Sequence, residues 1–220
     1  LNGAELHIGN NKQEMFDMFT LERQIREQEI THIVLPPAVL QELDLSSSNI
    51  KFVGSAGSEC SAELVEKYRN IYFYNAYGPT EYSVWTTFKM FPPTLQYEKE
   101  KQQPVPIGRP ILNTNIYVLN DHLKPLPIGG IGELYIGGLG IATGYCNMEE
   151  LTAEKFVANP FLEGEMLYKS GDLVKFTDDG DLLFLGRQDQ QVKIRGFRIE
   201  LSEVAQHIES CQYMTGVHLK

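Results

Sequence analysis

The sequence predicts an α/β fold that turns β-rich along its length. It divides into a parallel α/β sheet region (1–104), a β-barrel-like subdomain (105–188) and the start of a small α+β domain (189–220). Three observations carry this. Short apolar runs alternate with helical patterns over the first hundred residues, at strand–helix–strand spacing. Beyond residue 105, short strands are separated by glycine- and proline-rich turns. The last thirty or so residues pass from a basic strand into an amphipathic pattern.

Each element has a local reason. "ITHIVLPP" (30–37) reads as a buried strand stopped by Pro36 and Pro37. "IKFVGSAGS" (50–58) is a second strand running into a glycine turn. In "SAELVEKYR" (61–69), a serine cap precedes apolar residues at helical spacing. "IYFYNAYG" (71–78) is a third strand. Strand, helix, strand at this spacing favours a βαβ unit, and ligands of such sheets bind beyond the carboxyl ends of the strands. "GSAGS" and "AYGPTE" both fall there. A charged, proline-flanked connection follows (93–106). "NTNIYVLN", "GELYIGG", "MLYKSGDLVKF" and "DLLFLGR" then read as strands, with "LPIGGIG" and "TDDGD" as turns. "QQVKIRGFRIELSEVAQHIES" enters a helix at about Ser202.

Composition excludes some functions. A formal net charge of −10 in 220 residues argues against nucleic-acid binding by bulk electrostatics. No run of eighteen or more apolar residues exists to span a membrane. Cys60, Cys146 and Cys211 are odd in number and far apart, without a C-x-x-C pair, so neither a disulfide framework nor a zinc knuckle is expected. A reducing cytoplasm is the simple inference. "LNGAELHIGN" lacks the features of a signal peptide. With no initial methionine and the ending "GVHLK", the chain reads as part of something longer.

Three stretches carry chemistry. "NAYGPTE" offers an amide (Asn75), a flat aromatic (Tyr77), a hydroxyl (Thr80) and a carboxylate (Glu81) around a Gly78-Pro79 turn. These suit an adenine and a phosphate-bound Mg²⁺, although the core of the motif also reads as a strand and an ordinary turn. "YKSGDL" places Asp172 where a carboxylate can accept two ribose hydroxyls; a plain turn is the competing reading. "GRQDQQVKIRGFRIEL" concentrates Arg187, Lys193, Arg195 and Arg198 in an acidic chain, which suits a phosphate-bearing ligand or a solvated strand. "TDDGDL" lacks the ligand spacing of a calcium loop, and "GGIGELYIGGLGIATG" fits neither the dinucleotide nor the P-loop pattern. The five histidines are scattered and read as structural.

Taken together and in order, "NAYGPTE", "GELYIGGLGIATGY", "ELTAEKF", "LYKSGDL" and "GRQDQQVKIRGFRIEL" resemble the adenylation domains of nonribosomal peptide synthetases. Those domains share a superfamily with acyl-CoA synthetases and luciferases. The resemblance implies the C-terminal half of an adenylate-forming large domain plus the start of its mobile C-terminal subdomain. It implies a two-step ligase, in which an amino-acid carboxylate attacks the α-phosphate of ATP. The acyl group then passes to the phosphopantetheine thiol of a carrier domain. Implied partners are ATP with Mg²⁺, an amino acid, and the peptidyl carrier and condensation domains of the same synthetase.

Residue roles follow from the resemblance. Gly57, Ser58, Asn75, Ala76, Tyr77, Gly78 and Phe184 would surround the nucleotide. Thr80 would contact phosphate, Glu81 would bind Mg²⁺, Asp172 would take the ribose hydroxyls and Arg187 would reach ribose and phosphate. Asp189 would be the hinge, and Lys193 to Gly196 the loop that faces the site during thioester formation. Val34, Gly54, Ala56, Ala76, Val84 and Trp85 would line an amino-acid pocket for a small or aliphatic side chain, with no partner for a charged one.

The resemblance is incomplete. The family's Gly-rich Ser/Thr phosphate loop, its amino-group aspartate and its C-terminal lysine do not lie within Leu1–Lys220, so the 220 residues alone are expected to be inactive. Phe184 stands where the family usually has tyrosine, Thr143 replaces an arginine, and "NMEELT" lacks Arg-Pro. The alternatives are an acyl-CoA or aryl-acid ligase of the same superfamily, and a non-catalytic nucleotide-binding or scaffold remnant.

Overall fold

A computed structural model describes residues 3–7, 17–93, 104–189, 191–194 and 197–200, with Val204, His207 and Ile208. Two sheets organise it. The first has strands β1 (His32–Leu35), β2 (Phe52–Ser55), β3 (Tyr72–Tyr77), β4 (Thr87–Phe91) and β5 (Arg109–Pro110), in that order. β1, β2 and β3 run parallel, while β4 and β5 are antiparallel.

The helices cover this sheet as sequence chemistry dictates. Helix α1 (Met18–Glu27) is capped by the Asp17 carboxylate, which accepts from the Thr20 N–H. The prolines that end β1 also begin α2 (Pro37–Glu42), because proline's fixed φ suits a first helical turn and its missing N–H costs nothing there. Helix α3 (Ala62–Lys67) starts at Ser61, whose hydroxyl accepts from the Leu64 N–H. Leu40, Leu43, Leu64, Val53 and Phe73 form the core between helices and sheet.

The second sheet is antiparallel. β6 (Thr114–Leu119), β7 (Gly132–Gly138), β9 (Met166–Phe176) and β10 (Leu182–Arg187) are ordered β10-β9-β7-β6. β8 (Phe156–Ala158), which follows helix α4 (Glu149–Lys155), pairs with the start of β9. The barrel-like expectation resolves as this open sheet, with no closed barrel among the described residues. "TDDGD" is the β9–β10 turn, in which the Thr177 N–H donates to Asp181 O. β11 (Gln191–Ile194) and β12 (Phe197–Glu200) form a separate hairpin. No helix among the described residues is long and apolar enough to cross a membrane.

The sheets meet along one seam. Ile107 N–H donates to Leu182 O, and Leu182 N–H donates to Gly108 O. Asp181, buried at the start of β10, pairs with Lys89 of β4 and Arg109 of β5. This seam sets β10 beside the carboxyl ends of the parallel strands.

Candidate functional site

Two clefts open beyond the carboxyl ends of β1, β2 and β3, where an α/β sheet keeps its ligands. The first is an open cleft of about 530 Å³, counting the solvent at its mouth. Gly57, Ser58, Asn75, Ala76, Tyr77, Gly78 and Phe184 all lie on its wall. Glu59, Cys60, Pro104, Val105 and Ile107 complete it. The second is a more open cleft of about 620 Å³, counting the solvent at its mouth, lined by Val34, Leu35, Pro36, Ala56, Val84 and Trp85. Gly57, Ala76 and Gly78 belong to both, so the two clefts share a wall.

Local geometry explains that wall. A Cβ on Gly78 would lie 2.3 Å from Val84 O and 2.7 Å from Trp85 Cα, because the chain doubles back on itself after the Pro79 turn. Only glycine allows so close an approach. Val84, a β-branched residue, sits at φ 72°, a left-handed conformation that costs on the order of 1–3 kcal/mol. The strain falls on the rim of the second cleft.

Gly54 is not on either wall. A Cβ there would lie 2.3 Å from the Tyr74 ring, which packs across the glycine and meets Trp85 edge-on at 5.8 Å. The glycine therefore acts beneath the cleft, by making room for Tyr74. Asn75 is buried and donates its side-chain amide to Pro106 O at 3.0 Å, tying β3 to the inter-sheet connection. This uses one of its two amide donors.

Asp172 and Arg187 lie on neither cleft wall; Asp172 touches Tyr77, which does line the first cleft, and Arg187 stands behind Asp172. The Tyr77 hydroxyl donates to Asp172 Oδ2. Arg187 Nη1 donates to Asp172 Oδ1 at 2.6 Å, and the same guanidinium grips Asp189 through Nε and Nη2. Burial, and then the Asp172 charge, hold the Tyr77 phenol well above its usual pKa, so it stays a neutral donor. Phe184 tilts against Tyr77 at 6.5 Å. Asp189 is exposed at the end of β10. Of the loop expected to face the site, Lys193 lies on β11, and Gly196 falls outside the described residues.

Thr80 and Glu81 stand apart from both walls. Thr80 is exposed on the turn, while Glu81 is buried. Tyr145 donates its hydroxyl to Glu81 Oε1 at 2.6 Å, and the Ala142 N–H donates to Glu81 O. The segment 138–145 thus wraps the turn that presents the carboxylate.

The AMP-binding enzyme family matches residues 1–146. The chain belongs to this family. It is 46% identical over 217 residues to tyrocidine synthase 1 of Brevibacillus parabrevis, covering 98% of this chain and 20% of that protein. It is 48% identical over 204 residues to bacitracin synthase 3 of Bacillus licheniformis, covering 92% of this chain and 3% of that protein. The chain therefore spans a fifth or less of these relatives. Among solved structures, it superposes on the Vibrio cholerae adenylation domain AlmE in complex with glycyl-adenosine-5′-phosphate. That match has a TM-score of 0.75 at 27% identity, over 88% of this chain and 38% of that one. The artificially fused adenylation–PCP di-domain NpsA-ThdA of Klebsiella oxytoca gives 0.78 at 27% identity, over 89% and 37%. The chain's likeness to peptide-synthetase adenylation domains thus holds in both sequence and fold.

No group of three or more His, Cys, Asp or Glu among the described residues could hold a metal ion. A Mg²⁺ held by one carboxylate together with substrate phosphates needs no such cage. The donor set of Glu81 and the neighbouring Thr80 hydroxyl fits that kind of ion.

Sequence reasoning missed several residues. Cys60 and Val105 carry no polar signature and reach the first cleft only through the folding of the chain. Tyr145 stood inside the quoted "GLGIATGY" without a role. Glu133, in "GELYIGG", is buried against Gly171, and only the register of β7 on β9 reveals it.

Proposed function

We propose that the chain is part of an amino-acid-activating adenylation domain of a nonribosomal peptide synthetase. The amino-acid carboxylate attacks the α-phosphate of ATP, forming aminoacyl-AMP and releasing pyrophosphate. The thiol of a carrier's phosphopantetheine then attacks the acyl carbon and AMP leaves. The observation that carries this reading is the shared wall. A cleft with an aromatic and amide lining and an apolar cleft meet at Gly57, Ala76 and Gly78. Two ligands seated there would bring a nucleotide and a second, small substrate end to end, and that proximity is most of what joining two anions requires.

In this reading Tyr77 and Phe184 flank the base, and Asp172, oriented by Tyr77 and Arg187, accepts the ribose hydroxyls. Arg187 adds positive charge toward the phosphates, and Thr80 contacts them. Glu81, steadied by Tyr145, would hold Mg²⁺. When bound, the ion would neutralise charge on the phosphate oxygens. Val34, Ala56, Val84 and Trp85 leave a charged side chain without a partner, which favours a small or aliphatic amino acid. Residues 1–104 and 105–188 form the two parts of the core, and Asp189 is the hinge at which a mobile subdomain begins. The setting is cytoplasmic, beside carrier and condensation domains.

The test is amino-acid-dependent exchange of labelled pyrophosphate into ATP by the full-length protein carrying this chain. Exchange with a small or aliphatic amino acid is expected, and none from the 220 residues alone. Preference for Asp or Lys overturns the pocket assignment, and turnover by the fragment overturns the need for the missing loop and lysine. Thioester formation with CoA and a fatty or aryl acid, without exchange for any amino acid, replaces this function with that of an acyl-CoA ligase.

A further inference from the structure

The register of β9 on β7 is broken where it matters most. Glu133 pairs with Leu173 and Tyr135 with Lys169, so three residues of β9, Ser170 to Asp172, face the single residue Leu134. Such bulges re-aim side chains beside sites, at the cost of taking backbone groups out of the ladder. Ser170 Oγ donates to Leu134 O at 2.6 Å and accepts from the Asp172 N–H at 3.1 Å. Gly171, at φ 74°, sends its carbonyl to the Gln188 N–H. Its own N–H donates to Glu133 Oε1 at 2.9 Å.

We propose that Glu133 is a positioning residue: by holding the Gly171 N–H it fixes the bulge that aims the Asp172 carboxylate, and thereby sets the preference for ATP over 2′-deoxyATP. This rests on the reading of Asp172 as the acceptor of the ribose hydroxyls. Glu133 is buried and lies on neither cleft wall, so it acts only through the backbone. Its second oxygen accepts from the Tyr135 hydroxyl at 3.1 Å and faces Lys169 Nζ at 3.9 Å, which holds the carboxylate in one rotamer. A Cβ on Gly171 would stand 2.9 Å from Arg187 Nη2, so the bulge lies directly against the guanidinium that grips Asp172.

The experiment compares ATP with 2′-deoxyATP in pyrophosphate exchange by the full-length protein, reading kcat and KM for each, with binding of both nucleotides measured by calorimetry. E133Q keeps an oxygen for the Gly171 N–H, and the wild-type preference is expected to persist. E133L removes it, and E133D draws it back by one methylene while keeping the charge. E133D serves if E133L does not fold. In either, the preference for ATP is expected to fall about tenfold, the equivalent of roughly one charged hydrogen bond, and mainly through the KM for ATP. Equal loss on both nucleotides, with the ratio unchanged, overturns the positioning role and leaves Glu133 a structural residue. A wild-type protein with no preference, or D172A retaining it, overturns the ribose reading of Asp172 itself.

Discussion

Tyr77 donates a hydrogen bond to Asp172 across 95 positions of sequence, joining the last residue of a parallel strand to the bulge of an antiparallel one. The bond is buried, and the carboxylate's other oxygen is held by Arg187. Of the three, only Tyr77 lines the first cleft, so Asp172 and Arg187 hold that wall residue from behind.

Removing the cation should expose how much this support matters. Arg187 and Asp172 are both largely buried, with side chains 13% and 4% exposed. Arg187→Leu leaves a buried carboxylate with only part of its compensation, and should lower stability by about 3 kcal/mol. Adding Asp172→Asn should restore part of the loss. Urea denaturation of the single and double variants measures both, and a strictly additive double variant would refute coupling.

Tyr145→Phe removes the 2.6 Å bond to Glu81 with little change in shape. Partners that orient a metal-holding carboxylate typically matter ten- to a hundredfold in affinity. The Mg²⁺ concentration for half-maximal exchange should therefore rise about tenfold, with the KM for ATP at saturating Mg²⁺ unchanged. A Mg²⁺ titration of the exchange reaction checks this.

Trp85 lines the second cleft and is braced edge-on by Tyr74. Trp85→Ala should shift the exchange preference toward aromatic amino acids by about tenfold, within the range that pocket volume alone can discriminate. Gly54→Ala should lower activity by displacing the Tyr74 ring, not by narrowing the cleft.

Cys60 is buried, and burial raises its thiol pKa from 9.0 to about 12. Cys146 is exposed. In a Cys211→Ser background, a maleimide at neutral pH should label Cys146 quickly and Cys60 only after denaturation. Between about pH 9 and 12 the folded state keeps a proton on Cys60 that the unfolded chain releases. Stability from this group is thus complete below about pH 9 and declines as pH rises toward 12. Tyr77, raised by burial and by Asp172, acts in the same direction. Denaturant midpoints at pH 8, 10 and 11, compared with Cys60→Ala, read the contribution.

Much of the fold was legible because its signals are local. The apolar runs ending at proline or glycine became β1, β2 and β3, and Ser61 caps α3 as its position in sequence suggests. β1 is not the buried strand its apolar run predicts: it lies at the sheet edge, with His32 and Val34 exposed, because no further strand pairs beyond it among the described residues. The β7, β9 and β10 runs were equally plain. Pro36 and Pro37 were legible only as a stop, because the same φ that ends a strand also opens a helix. At the site, Gly57, Asn75, Tyr77, Gly78 and Phe184 share one wall, while Thr80, Glu81, Asp172 and Arg187 lie on neither cleft wall. Gly54 lies on neither as well, and nothing in "FVGS" says that Tyr74 will lie across it.

The sequence by itself determined family membership, the runs that became β1, β2, β3, β6, β7, β9 and β10, the serine cap of α3, and which residue types cluster near each turn, because these signals are carried by short stretches of chain. Only the tertiary structure decided that Tyr77 meets Asp172, that Glu133 takes the Gly171 N–H, that Cys60 and Val105 enter a cleft, and that two clefts share Gly57, Ala76 and Gly78. Those contacts follow from a bulge in one sheet and from the seam joining it to the other. Strand pairing of this kind is fixed by packing between distant segments, and a single residue of register turns every side chain to the opposite face.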